Sequence, residues 1–243
     1  MIRIDFVGTS HGLPEKNRQC SCTFITVGGN TYIIDAGADV NYNLINYDIP
    51  LETVKAIFIT HPHSDHFDGI LNFSNNILWY PPYFVCRPEF YFPDEVCKTL
   101  VLNWLQTIPG GCKGKTDELI HKIYSEGVIF DDGILKVTAI RTKHIESSFA
   151  FLLEAEGKKI FYSGDMCYGL PEYLTLLGDT HYDLVICEGA HHQPGTINDM
   201  LLQTPTDKLY INHVYPRNEA DLRKLQPQNF EYKVTIDGDF IEL

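Results

Sequence analysis

Residues 58–69, Phe58-Ile59-Thr60-His61-Pro62-His63-Ser64-Asp65-His66-Phe67-Asp68-Gly69, gather three imidazoles and two carboxylates into twelve positions. The run before them, Val54-Lys55-Ala56-Ile57-Phe58-Ile59, predicts a short buried strand over 54–60. The ligand-type side chains therefore begin where a strand gives way to a loop, a common seat of binding and catalytic groups. Imidazole nitrogen and carboxylate oxygen suit zinc and its neighbouring transition metals. His61, His63, Asp65 and His66 are too many for one mononuclear catalytic site to draw from a single loop. They divide better between two ions, one taking His61 and His63, the other Asp65 and His66.

Two ions need further ligands, and other strand ends offer them. His144 closes "LKVTAIRTKH", Asp165 closes "KIFYSGD", and His213 closes "KLYINH". Each repeats the pattern of an apolar run followed by a ligand type. Singly, each has a plainer reading: a lone histidine is usually a loop or capping residue, and an aspartate after glycine is usually a turn residue. Beside the 61–66 cluster they gain weight as ligands.

Working outward, "IRIDFVG" predicts a first strand, and "CTFITVGGNTYIIDAG" a hairpin turned at Gly28-Gly29-Asn30. "NYNLINY" predicts a short helix, and Phe67 to Phe73 the start of another. Residues 75–127 are aromatic and broken by prolines. They predict a helical insertion, with one helix over 94–107 ended by Pro109-Gly110-Gly111 and a second over 116–125. Residues 149–162 predict a hairpin turned at Glu156-Gly157-Lys158. "NEADLRKLQ" predicts a short helix, and "KVTIDGDFIEL" a closing hairpin turned at Asp237-Gly238. β runs in both halves with interspersed helices fit two sheets packed face to face, with helices outside.

The 243 residues, without repeat or low-complexity linker, point to a single domain over 1–243. No stretch reaches the length of a membrane span. The opening "MIRIDFVGTS" lacks an apolar signal core, so a cytoplasmic protein is expected. Seven scattered cysteines indicate free thiols rather than a disulfide framework. Cys20 and Cys22 form a C-x-C pair with no matched partner for a structural zinc, and Cys22 reads as a small buried strand residue. The net charge of −13 argues against a broad basic nucleic-acid surface. It leaves room for an anionic substrate, because bound divalent ions invert the local field.

"THPHSDHFDG" resembles the H-x-H-x-D-H signature of the metallo-β-lactamase superfamily. His144, Asp165 in "YSGD" and His213 follow in that family's order, and Asp35 in "YIIDAG" resembles its early strand-end aspartate. The resemblance implies a four-layer αββα sandwich with a two-metal site. His61, His63 and His144 would hold one ion, Asp65, His66 and His213 the other, and Asp165 would bridge them. Zinc is the expected metal; manganese and iron accept the same ligand types.

"GTSHGLPEKNRQCSCTFI" and "SFAFLLEAEGKKIFYSGD" are similar to the ribonuclease Z and small-phosphodiesterase branch, and "DLVICEGAHH" loosely resembles its H-E-A-T segment. Cys187 stands where that segment has histidine, no later H-S-T element is found, and no long Gly/Pro-rich arm is evident. Transfer RNA is therefore not the expected partner. The expected substrate is a small anionic phosphodiester, cyclic or nucleotide-like, cleaved by metal-activated hydroxide. A thioester or lactone hydrolase and a non-catalytic metal-binding sensor are the alternatives. The superfamily's diiron electron-transfer members replace a motif histidine with glutamate; this chain keeps His63, which favours hydrolysis.

Asp65 is expected to orient the attacking water. His192 is assigned with it as a catalytic residue, the proton donor to the leaving oxygen, with His191 and Glu188 as further candidates for that role. Ser10, His11 and Glu188 are expected at the substrate. The aromatic stretch around Trp79, Tyr80, Tyr83, Phe84, Phe90, Tyr91 and Phe92 reads first as satellite core, second as a homodimer interface and third as a pocket wall.

Overall fold

The computed structural model describes residues 1–81, 87–108, 112, 114–193 and 195–243. Two mixed seven-stranded sheets stack face to face. The first contains β1 (Arg3–Gly8), β2 (Cys22–Val27), β3 (Asn30–Ile34), β4 (Val54–Phe58), β5 (Glu89–Phe92) and β6 (His121–Ile123). The second contains β7 (Gly127–Asp131), β8 (Lys136–Arg141), β9 (Phe149–Ala155), β10 (Lys158–Tyr162), β11 (Leu184–Gly189), β12 (Lys208–Val214) and β13 (Glu231–Val234). The last strand, β14 (Phe240–Glu242), returns to the first sheet beside β1.

Helices cover both outer faces. On the first sheet lie α1 (Val40–Asn46), α2 (Ser64–Phe67), α3 (Gly69–Trp79) and α4 (Glu95–Thr107). On the second lie α5 (Tyr173–Leu177), α6 (Asn198–Leu201) and α7 (Pro216–Leu222). Strand residues alternate between the two layers. Tyr32, Phe58 and Tyr91 face Phe149, Phe151 and Tyr162 across the middle of the sandwich. Their neighbours Ile33, Ile57 and Phe90 pack outward on Leu44, Phe73 and Val101. Burial on both faces explains why these strands read as continuous apolar runs. Each such side chain contributes about 1.5–3 kcal/mol, so apolar packing holds the layers together.

The expected hairpins over 22–34 and 149–162 form, with registers Phe24↔Ile33 and Ile160↔Leu153. Two expectations fail. The second helix of 116–125 is only a 3-10 turn over Thr116–Glu118, after which β6 pairs in parallel with β5. The stretch 75–127 thus combines the expected α4 with two strands that extend the first sheet. Phe90 and Phe92 are core residues of β5, while Trp79 and Tyr80 are exposed. Tyr83, Phe84 and the helix stop at 109–111 lie outside the described residues.

The closing hairpin also fails. β13 pairs in parallel with β12, and β14 pairs antiparallel with β1, so the Asp237-Gly238 turn crosses between sheets. The turn docks elsewhere: the Asp237 carboxylate accepts from Thr9 N, Thr9 Oγ1 and Gln19 N, and Gly238 N donates to Phe6 O. Among the described residues no helix is long and apolar enough to cross a membrane, and the described cysteines are free.

Candidate metal centre

The strands carry the expected ligands to one edge of the sandwich. His61, His144 and Asp165 each follow, by three residues, the last residue of β4, β8 and β10, while His213 lies within β12. Ligands gathered beyond carboxyl ends of strands follow the general rule for such sheets. The turn into Asp165 depends on Gly164, whose φ is +55° and whose absent Cβ would lie 2.6 Å from Phe149 O. Gly37 allows another close approach, since a Cβ there would meet Asp65 O at 1.7 Å. Asp35 and His213 adopt left-handed φ of 60° and 50°. Asp and His tolerate that region better than bulky or β-branched residues.

The seven side chains converge in two groups. His61, His63, His144 and Asp165 offer ligand atoms within 4.8 Å of one another, and so do Asp65, His66 and His213. In the first group His61 Nε2 and His144 Nε2 each lie 3.1 Å from His63 Nδ1. In the second, His66 Nε2 and His213 Nε2 lie 3.4 and 3.7 Å from Asp65 Oδ2. Asp165 stands between the groups, with Oδ2 3.6 Å from His61 Nε2 and 3.4 Å from His213 Nε2, and Oδ1 3.4 Å from His66 Nε2.

A buried cluster like this fits a cation. His66 Nε2 and Asp165 Oδ1 are buried without a hydrogen-bond partner, although such groups in folded proteins almost always have one. Imidazoles must be neutral to ligate. Burial first, and then the neighbouring imidazoles, hold His61 well below the usual histidine range, and burial also lowers His144; against burial, Asp165 and Asp35 hold His66 well above that range. Burial acts to raise Asp165, but His213, His66 and His61 outweigh it and keep that carboxylate well below its ordinary value.

Below the ligands, Asp35 accepts at Oδ2 from His66 Nδ1 at 2.7 Å and at Oδ1 from Thr60 N at 2.7 Å. Thr60 Oγ1 donates to Asp35 and lies 3.0 Å from His61 Nδ1. One buried carboxylate thus orients a ligand of each group, leaving each Nε2 lone pair facing the cluster. Thr60 escaped the sequence analysis; its position immediately before His61 was the available signal.

The remaining candidates sort differently. His11 lines a cleft of about 310 Å³ over the ligands, with Gly12, His63, Asp65, His144, His191, His213, Tyr215 and Arg217 among its walls. Ser10 is fully buried and spends its hydroxyl on Leu13 O at 2.6 Å. Glu188 is also buried: Oε1 accepts from Met166 N and His191 Nδ1, and Oε2 from Ala190 N and His191 N. With its lone pairs so engaged, Glu188 anchors loops and is not free to contact a substrate.

His192 is 1% exposed and does not line the cleft, while Asn218 Nδ2 donates to its carbonyl and to those of Gly189 and Ala190. His191 instead faces the ligands, 3.7 Å from Asp165 Oδ2. Burial acts to lower its pKa, but Glu188 prevails and raises it to about 9. Tyr215 and Arg217 were missed; their sole sequence signal was the loop that follows His213. No cysteine joins a ligand group among the described residues.

Comparisons with known proteins agree with this architecture. The sequence model of a family described as Anti-Pycsar protein Apyc1 matches residues 2–211. A ribonuclease Z of Shouchella clausii is 26% identical over 160 residues, 65% of this chain and 49% of that protein. The chain spans about half or less of the length of the first curated relatives it matches. The metallo-β-lactamase fold protein YhfI of Bacillus subtilis superposes with a TM-score of 0.76 at 16% identity, over 99% of this chain and 98% of that one. A diphosphatase of the PhnP family superposes with a TM-score of 0.72 at 14% identity, over 100% and 98% of the two chains. The fold is the αββα sandwich of metallo-β-lactamase proteins.

Proposed function

This chain belongs to the Anti-Pycsar protein Apyc1 family, and we propose that it is a metal-dependent hydrolase of small phosphodiesters, cyclic or nucleotide-like in class. The observation that carries the reading is the position of Asp165 between two groups of three ligand residues. That arrangement suits a pair of divalent ions, with zinc as the proposed metal. A ribonuclease and a diphosphatase among the similar proteins, both named for chemistry at phosphorus, support phosphorus over a carbonyl centre. The cleft volume, about 310 Å³, suits a small molecule.

His61, His63 and His144 would hold one ion, Asp65, His66 and His213 the other, and Asp165 both. Bound there, the ions would supply a water of lowered pKa and neutralise charge developing at phosphorus. The chain's own residues do the rest. Asp65 orients the attacking water and accepts its proton. Asp35 and Thr60 keep His66 and His61 facing inward. His191, held at Nδ1 by Glu188 and exposed to the cleft, takes the place expected of His192 and hands a proton to the leaving oxygen.

The test is hydrolysis of bis(p-nitrophenyl) phosphate by metal-loaded protein, with Asp165→Ala as control. Turnover in the parent that falls at least about 1,000-fold in the variant is the expected outcome, the scale of a lost electrostatic clamp. No turnover by folded, metal-loaded parent protein refutes the phosphodiesterase reading and redirects the search to thioesters and lactones.

A further inference from the structure

One wall of the cleft owes nothing to the ligand residues. His11 and Tyr215 meet edge to face there, ring centroids 4.5 Å apart at 83°. The Arg217 guanidinium lies 4.7 Å from the Tyr215 ring centroid, a cation–π distance that holds it over the ring.

Arg217 is the only permanently charged cation among the described residues that line the cleft. No carboxylate pairs with it among the described residues, where its guanidinium lies over the Tyr215 ring. The nearby Glu219 is already taken by Arg18 and Arg223. A free guanidinium has a planar fork matched to phosphate oxygens, and a cation at the mouth of a cleft in an acidic protein draws in anions. A phosphodiester carries such a charge; a thioester, a lactone and a simple ester do not.

We infer that Arg217, held over the Tyr215 ring, is a specificity-determining residue that binds a non-reacting phosphate oxygen and selects anionic substrates over neutral esters. This rests on the phosphodiesterase reading above and adds to it the residue that makes the selection. Arg217 belongs to neither ligand group among the described residues, so metal content is a separate readout.

The test uses the metal-loaded full chain, with adenosine 3′,5′-cyclic monophosphate and p-nitrophenyl acetate as the anionic and neutral substrates. In Arg217→Ala the KM for the cyclic nucleotide should rise about 10- to 100-fold, the value of a charge-assisted hydrogen bond. Its kcat should stay within about twofold, and the preference for the cyclic nucleotide over the acetate should fall by the same factor as KM rises. Arg217→Lys should recover part of the loss, and bound metal should equal that of the parent. An unchanged KM in Arg217→Ala, with a parent that turns the cyclic nucleotide over, overturns this inference alone. A parent that cleaves no phosphodiester overturns the proposed function instead. Calorimetric binding of adenosine 5′-monophosphate then judges Arg217: weaker binding by Arg217→Ala supports the assignment, and equal binding or none by either protein overturns it.

Discussion

Asp35 shows how much a single buried carboxylate controls. It is fully buried, accepts from Thr60 and His66, and sets the tautomer of a ligand from beneath. Asp35→Asn keeps the shape and the bond from Thr60 N but turns an N–H toward His66 Nδ1. The imidazole must then carry its proton on Nε2, the atom facing Asp65 and Asp165, and can no longer ligate there. The fold should survive while metal affinity drops about 10- to 100-fold, the usual cost of losing such a partner. Competition with a chromophoric chelator measures this; metal bound as tightly as in the parent would refute the role. His191 and His192 teach the same lesson in reverse. Adjacent and chemically identical, they differ because Glu188 draws one ring to the cleft and Asn218 fastens the backbone around the other.

At the scale of elements, the turn at Asp237-Gly238 acts as a clasp. β13 and β14 lie in different sheets, and the Asp237 carboxylate ties their connection to Thr9 and Gln19 at the ends of the loop that carries His11. Asp237→Ala would leave two backbone N–H groups without an acceptor. Unfolding in urea should show a loss of about 2–4 kcal/mol, the cost of stranded donors. A change under about 0.5 kcal/mol would mean that solvent replaces the carboxylate and no clasp exists. The failed helix over 116–125 belongs to this scale too. Its residues satisfy a helical pattern locally, but β5 presents an open edge, and β6 completes it in parallel register from Phe90↔His121 to Phe92↔Ile123.

Across the whole molecule, the candidate centre joins the two sheets. His61, His63, Asp65 and His66 follow β4 of the first sheet, whereas His144 and Asp165 follow β8 and β10 of the second and His213 lies in its β12. Ions bound there would bridge the layers and stabilise the folded state by mass action. With free metal at about a hundredfold over its dissociation constant, chelation should lower Tm by about 5–10 °C for each ion removed. Amide exchange should quicken after β4, β8 and β10 together, not on one sheet only. A Tm indifferent to chelator would argue that the ligands hold nothing in solution.

The sequence by itself determined the layered architecture and marked the residues that the fold brings together as candidate ligands. H-x-H-x-D-H, "YSGD" and the strand-end histidines mark themselves by residue type and by the apolar runs before them, and such runs are local signals of period and burial. Tertiary structure alone decided which way side chains near the site face. Glu188 is engaged by four donors that converge on it, and the Ser10 hydroxyl bonds Leu13 O. Arg217 is left over the Tyr215 ring while nearby Glu219 pairs with Arg18, a residue 201 positions from that acid in the chain. Pairing across such distances leaves no trace in local composition, since which polar groups meet is fixed only when the sheets pack.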